Sequence, residues 1–359
     1  MEIFESELMK RIEYHNNKRK GAFGSLKENY TYYYDACRLD IKQICNSFNA
    51  GDYKFHKVKL KKIPKNRGGE RTIFLMNVGD SLIQDTALHI FEKNNSDLFP
   101  RCAYAYRNGY GPNRMVKNIY EVMQEKDIHF MLHVDSKKLV DSIDLQILNG
   151  LIDEHIEDIQ FKALLKGYIS HERLKETDSS YFPEDKGIYA GGALTGFLMN
   201  LYFINFDKLA INYLDEVYYY RYGDDIFAFS DNVENLMTAY KFYEKYLTEE
   251  LRLDVYKLYD DNKTAIIPLD ADGYFHFYDY SFNKREIRIR EFIINKILED
   301  ISNIVHNYKL LEAINAINYY FVKSFSLDED FCRIAIFDVF LYVHVSVNFL
   351  TLITRSEKY

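Results

Sequence analysis

Along this 359-residue chain the spacing of hydrophobic and polar positions changes several times, and each change marks an element. From Val78 to Asn94 the apolar residues Leu82, Ile83, Ala87, Leu88 and Phe91 recur at helical spacing, with Asn77 or Asp80 placed to cap the start. Residues 129–134, His-Phe-Met-Leu-His-Val, read as a strand that delivers Asp135. A helical stretch over 139–159 and a polar loop with Pro183 and Gly187 lead to a long helix predicted over 193–210, entered through Gly191-Gly192. Two strands rich in aromatic and β-branched residues, 216–221 and 226–230, then flank Tyr222-Gly223-Asp224-Asp225, a hairpin with two carboxylates at its tip. A helix over 232–251, a strand over 262–268 and a hairpin over 273–282 with 287–289 follow, and Phe292, Ile297, Leu298, Ile301, Ile304 and Val305 fall in helical register. Upstream, the first fifty or so residues read as mostly helical, and strands over 57–63 and 71–75 flank a turn that contains Gly68-Gly69. Strand, helix, helix, strand, strand, helix, strand from about 125 to about 270 predicts an α+β domain, an antiparallel sheet backed by helices.

The length suits two or three lobes, and 47% hydrophobic with 28% charged residues is ordinary globular composition. A net charge of -8 is unfavourable for holding phosphate backbones, so such a role needs a local basic surface. Lys54, Lys57, Lys59, Lys61, Lys62, Lys65, Arg67 and Arg71 supply one, and all but Lys54 sit on the predicted hairpin. Cys37, Cys45, Cys102 and Cys332 have neither paired nor zinc-like spacing and read as reduced thiols of a cytoplasmic protein. The start carries no apolar core of a signal peptide, and the apolar run 334–353 is interrupted by Asp338, His344 and Asn348, so it reads as a buried helix; no membrane association is expected.

Adjacent carboxylates repel, so Asp224 and Asp225 in a tight turn point to a bound cation. A sheet could bring Asp135 beside them, and three such groups could hold two Mg²⁺ ions, or Mn²⁺, around a triphosphate and an attacking hydroxyl. The blander reading of any one of these features is scaffold: a solvated turn, or a lysine at a strand start.

Tyr222-Gly223-Asp224-Asp225 resembles the Tyr-x-Asp-Asp hairpin of reverse transcriptases, and further blocks follow in that family's order over roughly residues 60 to 285. Ile63-Pro64-Lys65 through Gly69-Glu70-Arg71 resembles the fingers hairpin. Gln84 and Tyr104-Ala105-Tyr106-Arg107-Asn108-Gly109 resemble the next blocks, and Val134-Asp135 with Asp141-Ser142-Ile143-Asp144 resembles the first catalytic motif. The segment from Gly187 through Gly191 and Thr195 to Asn200 follows the family's Gly-Leu-Pro-Gln-Gly register, and Asn262-Lys263-Thr264 resembles its Asn-x-Lys-Thr block. The resemblance implies a right-hand polymerase: N-terminal helices and fingers over 1–122, palm over 123–283, helical thumb over 284–359. It implies catalysis by Asp135, Asp224, Asp225 and Lys263, with the three aspartates as metal ligands. Lys65, Arg67, Arg71, Val140, Gly191 and Thr195 would contact the nucleotide, and Asn200, Tyr222, Phe277 and Tyr278 the template and primer.

The chain departs from the family at Val140, where an aromatic ring normally blocks a ribose 2′-hydroxyl, and at Ala190 and Thr195-Gly196, where Gln and Ser-Pro are usual. By elimination it resembles the bacterial abortive-infection and defence-associated reverse transcriptases, since no maturase or endonuclease segment follows residue 290. That resemblance implies dNTPs, an RNA template or noncoding RNA and a DNA product as partners, with homo- or hetero-oligomers. The competing expectations are template-independent or protein-primed nucleotide addition, and a non-catalytic RNA-binding subunit of a polymerase complex.

Overall fold

A computed structural model describes residues 2–20, 41–64, 69–174, 180–183, 185–260, 263–269 and 274–293, with 295 and 299. In chain order the first elements are α1 (Glu2–Lys20), α2 (Ile41–Ala50), β1 (Lys59–Pro64), β2 (Glu70–Leu75), α3 (Val78–Asn94), α4 (Pro112–Glu125) and β3 (Phe130–Val134). Next come α5 (Leu139–Ser142), α6 (Leu145–His155), α7 (Ile159–Ile169), α8 (Ala193–Tyr202), α9 (Ile204–Ala210), β4 (Tyr218–Tyr222) and β5 (Asp225–Ser230). The last are α10 (Val233–Lys245), β6 (Ala265–Pro268), β7 (Phe275–Phe277), β8 (Tyr280–Phe282) and β9 (Ile287–Ile289).

The α+β architecture expected from the sequence is the one observed. A four-stranded antiparallel sheet in the order β4-β5-β3-β6 forms its centre, with separate sheets β1-β2 and β7-β8-β9 beside it. Alternate residues of the central sheet serve two different cores. Leu132, Val134, Ile226, Ala228 and Tyr219 face the main core of helices α6 to α10. Met131, Phe227, Phe229 and Tyr220 face a second core made by α4 and the β7-β8-β9 sheet. Burial on both faces explains why β3 and β5 are apolar almost without interruption, where a half-exposed strand would alternate.

Two predicted helices are divided. The stretch 139–159 breaks into α5 and α6, and a third helix, α7, starts where the stretch was expected to end. Asp144 accepts from the Gln146 and Ile147 amides, and Asp158 from the Phe161 amide, each beginning a new helix. The helix predicted over 193–210 is α8 and α9, interrupted at Phe203. Helix α4 was not anticipated; Pro112 opens it, and Met115, Val116, Ile119 and Met123 form its buried stripe. The hairpin expected over 273–289 is a three-stranded sheet.

The N-terminal helix α1 is fastened to α3 by a forked pair, Arg11 to Asp85 at 2.7 and 2.6 Å. The basic hairpin β1-β2 is fastened to the loop before α8, because the Phe74 amide donates to the Ala190 carbonyl at 2.9 Å. Cys45 and Cys102 are free and buried; Cys37 and Cys332 lie outside the described residues, as do Lys65, Arg67, Asn262 and nearly all of the expected thumb. Among the described residues no helix is long and apolar enough to cross a membrane.

Candidate active site

The sheet register brings the predicted carboxylates to one place. Val134 pairs with Ile226, so one further step along β3 sets Asp135 opposite Asp225. Tyr222 pairs with Asp225, leaving Gly223 and Asp224 as a two-residue loop, and Gly223 at φ +67° supplies the backbone conformation that its first position requires. The carboxyl of Asp224 is pushed up to about 6 by burial, then by the charge of Asp225 and, after its own backbone bond pulls the other way, of Asp135. That mutual repulsion is the electrostatic signature of three converging acids.

Two of the three have cationic or imidazole partners. Lys263 donates to Asp135 Oδ2 at 3.1 Å, and this bond and the charge of Asp135 raise the lysine above its ordinary range. His133 Nε2 lies 2.9 Å from Asp225 Oδ1, its ring stacked on Phe227. Among the described residues, no three His, Cys, Asp or Glu side chains are drawn together as a formed metal cluster. The sheet supplies hard oxygen donors that suit Mg²⁺ or Mn²⁺, and with Asp224 held high by burial and then by the charges of its neighbours, a divalent cation there would offset both. The donor chemistry therefore fits the expected ions, and Lys263 and His133 orient two of the carboxylates.

Beneath the turn lies a buried network that the sequence did not disclose. Arg221 is fully buried and forks onto Asp207, Nε to Oδ1 at 2.8 Å and Nη2 to Oδ2 at 2.6 Å. Its Nη1 donates to the Gly223 carbonyl at 2.9 Å and to Asn200 Oδ1 at 3.1 Å, and Tyr219 donates its hydroxyl to Asp207 at 2.7 Å. Burial opposes the guanidinium charge, but Asp207 more than offsets it and the arginine is raised above its ordinary range. The network clamps the acidic turn from below and joins it to α8 and α9.

The remaining predicted residues divide. Arg71 is exposed on β2, opposite Ile63. Val140 is half-buried in α5, and its carbonyl accepts from the Ile188 amide at 2.9 Å. Gly191, at φ +111°, passes so close to β2 that a Cβ would lie 3.4 Å from the Phe74 carbonyl oxygen. Thr195 is corrected: it is buried, its hydroxyl donating to the Tyr189 carbonyl at 2.6 Å and lying 2.9 Å from the Tyr168 hydroxyl, which leaves it no face toward a nucleotide. Asn200 is corrected too, since it is fully buried with its amide between the Ala105 carbonyl and Arg221 and has no surface for template or primer. Tyr222 packs its ring on Phe277 and Tyr278; Phe277 is buried, and Tyr278 is open to solvent at φ +51°. His133 and Arg221 carry no motif signal, and only the placement of charged residues within otherwise apolar elements hinted at them, whereas Asp207 closes the family-like segment that begins at Gly187.

The putative COX1/OXI3 intron 2 protein of Saccharomyces cerevisiae is 23% identical over 224 residues, 59% of this chain and 24% of that protein. The putative COX1/OXI3 intron 1 protein of the same yeast is 22% identical over 182 residues, 49% of this chain and 21% of that protein. The chain thus spans about a quarter of the length of the curated relatives it matches. Among solved structures, apo telomerase from Candida tropicalis truncated from its C-terminal domain aligns with a TM-score of 0.49 and 14% identity, covering 66% of this chain and 55% of that one. Telomerase from Candida albicans in complex with a TWJ fragment of telomeric RNA aligns with a TM-score of 0.49 and 9% identity, covering 83% and 58%. The family model for reverse transcriptase (RNA-dependent DNA polymerase) matches residues 63–258, more than half of the chain and the span that contains Asp135, Asp224 and Asp225. The chain belongs to the reverse transcriptase family.

Proposed function

We propose that the chain is an RNA-directed DNA polymerase that adds deoxynucleotides from dNTPs to a 3′-hydroxyl on an RNA template. The observation that carries this reading is the antiparallel register that sets Asp135 across from Asp225 and beside Asp224, inside the span matched by the family. In it, 1–122 form the N-terminal helices and fingers, 123–283 the palm and 284–359 the thumb. Two divalent cations held by Asp135, Asp224 and Asp225 would supply charge neutralisation for the triphosphate and activation of the hydroxyl. The protein positions the reactants: Arg71, with Lys65 and Arg67, grips the triphosphate, while Gly191 lets the chain approach the fingers hairpin closely. The 3′-hydroxyl gives its proton to solvent as its oxygen bonds to the α-phosphorus, the bond from that phosphorus to the bridging oxygen breaks, and Lys263 gives its proton to the departing pyrophosphate.

Lys263→Ala should therefore lower kcat at saturating dNTP by roughly a hundredfold, the usual range of a general acid. A kcat within about threefold of the unaltered protein would remove the lysine from the proton transfer.

The test of the whole reading is incorporation of labelled dNTPs and NTPs on a primed RNA template with Mg²⁺, followed by sequencing of the product. Complementary DNA supports it; product unrelated to the template moves the assignment to template-independent or protein-primed addition. No incorporation of any nucleotide, with RNA still bound, moves it to an RNA-binding subunit. Discrimination between dNTP and NTP reports on Val140 at the same time.

For the biological setting, the departures at Ala190, Thr195 and Gly196 support a dedicated template, as in a cytoplasmic, oligomeric defence enzyme working with its own noncoding RNA. The yeast intron relatives favour a different setting. Sequencing the RNA that co-purifies separates them: a structured RNA from the same locus supports the defence reading, and an intron transcript replaces it.

A further inference from the structure

Tyr106 has no part in the catalytic chemistry described above, yet it lies over the acidic turn in an unusual state. Its backbone is at φ +58°, a region that side-chain-bearing residues avoid, and the residue is 56% exposed. Two glycines make room for the ring. A Cβ on Gly196 would lie 2.3 Å from Tyr106 Cγ, so the root of the ring is seated on that glycine. A Cβ on Gly223 would lie 3.7 Å from Cε2 and 3.8 Å from the hydroxyl oxygen, so the far edge lies beside the first residue of the turn.

The backbone leading into it is held by the network that holds the turn, because Asn200 donates to the Ala105 carbonyl at 2.8 Å. A second tyrosine approaches the same turn in the same manner: Tyr278 is at φ +51°, 49% exposed, with its ring centroid 4.7 Å from that of Tyr222. The Tyr106 phenol is raised by burial of its inner edge and then by the charges of Asp224, Tyr222 and Asp225, which sets its hydroxyl among the groups of the site. Two strained backbones that both present open rings to one acidic turn mark a surface kept for a ligand. Gly223 contributes no side chain, so the ring of Tyr106 borders the turn there and stays open to solvent.

We propose that Tyr106 touches substrate: its ring packs against the 3′-terminal nucleotide of the strand being extended and seats that terminus at Asp224 and Asp225. The assignment rests on the polymerase reading. Gly191, which the polymerase reading gives to the nucleotide, meets β2, whereas Tyr106 neighbours Gly223 and lies within electrostatic reach of Tyr278, which with Tyr222 the same reading gives to the template and primer. An aromatic face serves any base, so the contact is to nucleotides as a class and is indifferent to sequence.

The test compares Tyr106→Phe, Tyr106→Gly and Tyr106→Leu in extension of matched and mismatched primers, with melting curves for each. Glycine adopts a positive φ without strain, so the second variant removes the ring and leaves the backbone at ease. The leucine variant fills the space over Gly196 without an aromatic face and stands in if glycine compromises folding. Both are expected to raise KM for primed template by about tenfold, with kcat at saturating primer within about threefold, and to narrow the preference for a matched terminus. Tyr106→Phe should stay within about twofold of the unaltered protein, because the ring makes the contact. An unchanged KM in a folded ring-less variant, a loss confined to kcat, or a phenylalanine variant as impaired as the glycine one would overturn the proposal. If the unaltered protein extends no primer, the polymerase reading fails and takes this contact with it; if it extends normally and the variants match it, only the contact fails.

Discussion

Asp224→Asn with Asp225→Asn is expected to reduce nucleotide incorporation by more than about a thousandfold while making the metal-free chain more stable near pH 7. Asparagine keeps the shape and an acceptor oxygen for His133 but removes the charge that a divalent cation needs. The stability effect follows from the Asp224 carboxyl, whose folded value is about 6 against an ordinary 3.8. Below both values the group is protonated in folded and unfolded chains alike and costs nothing. As pH rises the unfolded chain releases the proton first, so stability falls between about pH 4 and pH 6, and above that the full cost, on the order of 3 kcal/mol, is present. The variant lacks this dependence.

Melting curves between pH 4 and pH 7.5 in chelator should therefore diverge with rising pH, the variant being the higher. Adding Mg²⁺ should raise the melting temperature of the unaltered protein and leave the variant unmoved. Incorporation within tenfold of normal would sink the catalytic assignment of the two aspartates. A variant less stable than the parent in chelator at pH 7 would show that the three carboxylates do not repel in solution as their placement requires.

Arg221→Ala should carry the largest stability loss of any substitution considered, about 3–5 kcal/mol, because it strands the fully buried Asp207 carboxylate. The same change removes the donor that holds the Gly223 carbonyl, so the acidic turn loses its anchor as well. Arg221→Lys should be only a partial replacement, since an ammonium cannot reproduce the two-pronged contact with Asp207 and also reach Asn200 and Gly223. The informative variant is double, Arg221→Met with Asp207→Leu. It removes both charges together and should recover much of the stability. Activity should stay low, because the Gly223 carbonyl remains without its donor. Urea unfolding beside an incorporation assay reads both effects. Recovery of activity together with stability would mean that the network only supports the core and does not position the turn.

The legibility of each site residue depended on its surroundings. Asp135, Asp224 and Asp225 could be read because each ends or begins a strand, and a strand's direction and register say where its end points. Thr195 and Asn200 were misread for the opposite reason. Their spacing from Gly191 places them correctly along the chain, but every residue from Leu194 to Tyr202 in α8 is buried. With no polar stripe there is no periodicity to show which way any one side chain faces. Arg221 was invisible on similar grounds, since β4 and β5 are covered on both faces and an arginine among tyrosines gives no sign of the aspartate it meets on α9. The divided helices were missed because Asp144 and Asp158 sit in runs whose apolar spacing continues past them, so the caps are hidden by the periodicity around them.

By itself, then, the amino-acid sequence determined the family, the α+β class, the central strands and the position of three aspartates at strand ends, because strand pattern, turn chemistry and the order of motifs are local properties of the chain. The tertiary structure decided which residues stand behind that site and which stand at it: Thr195 and Asn200 turned inward, Arg221 and Asp207 joined under the turn, His133 and Lys263 on the carboxylates, Tyr106 over Gly223. These are pairings between segments far apart in the chain, and they follow from how a sheet covered on both faces and a fully buried helix pack against each other. Neither arrangement leaves an alternation of polar and apolar residues from which a facing direction could be read.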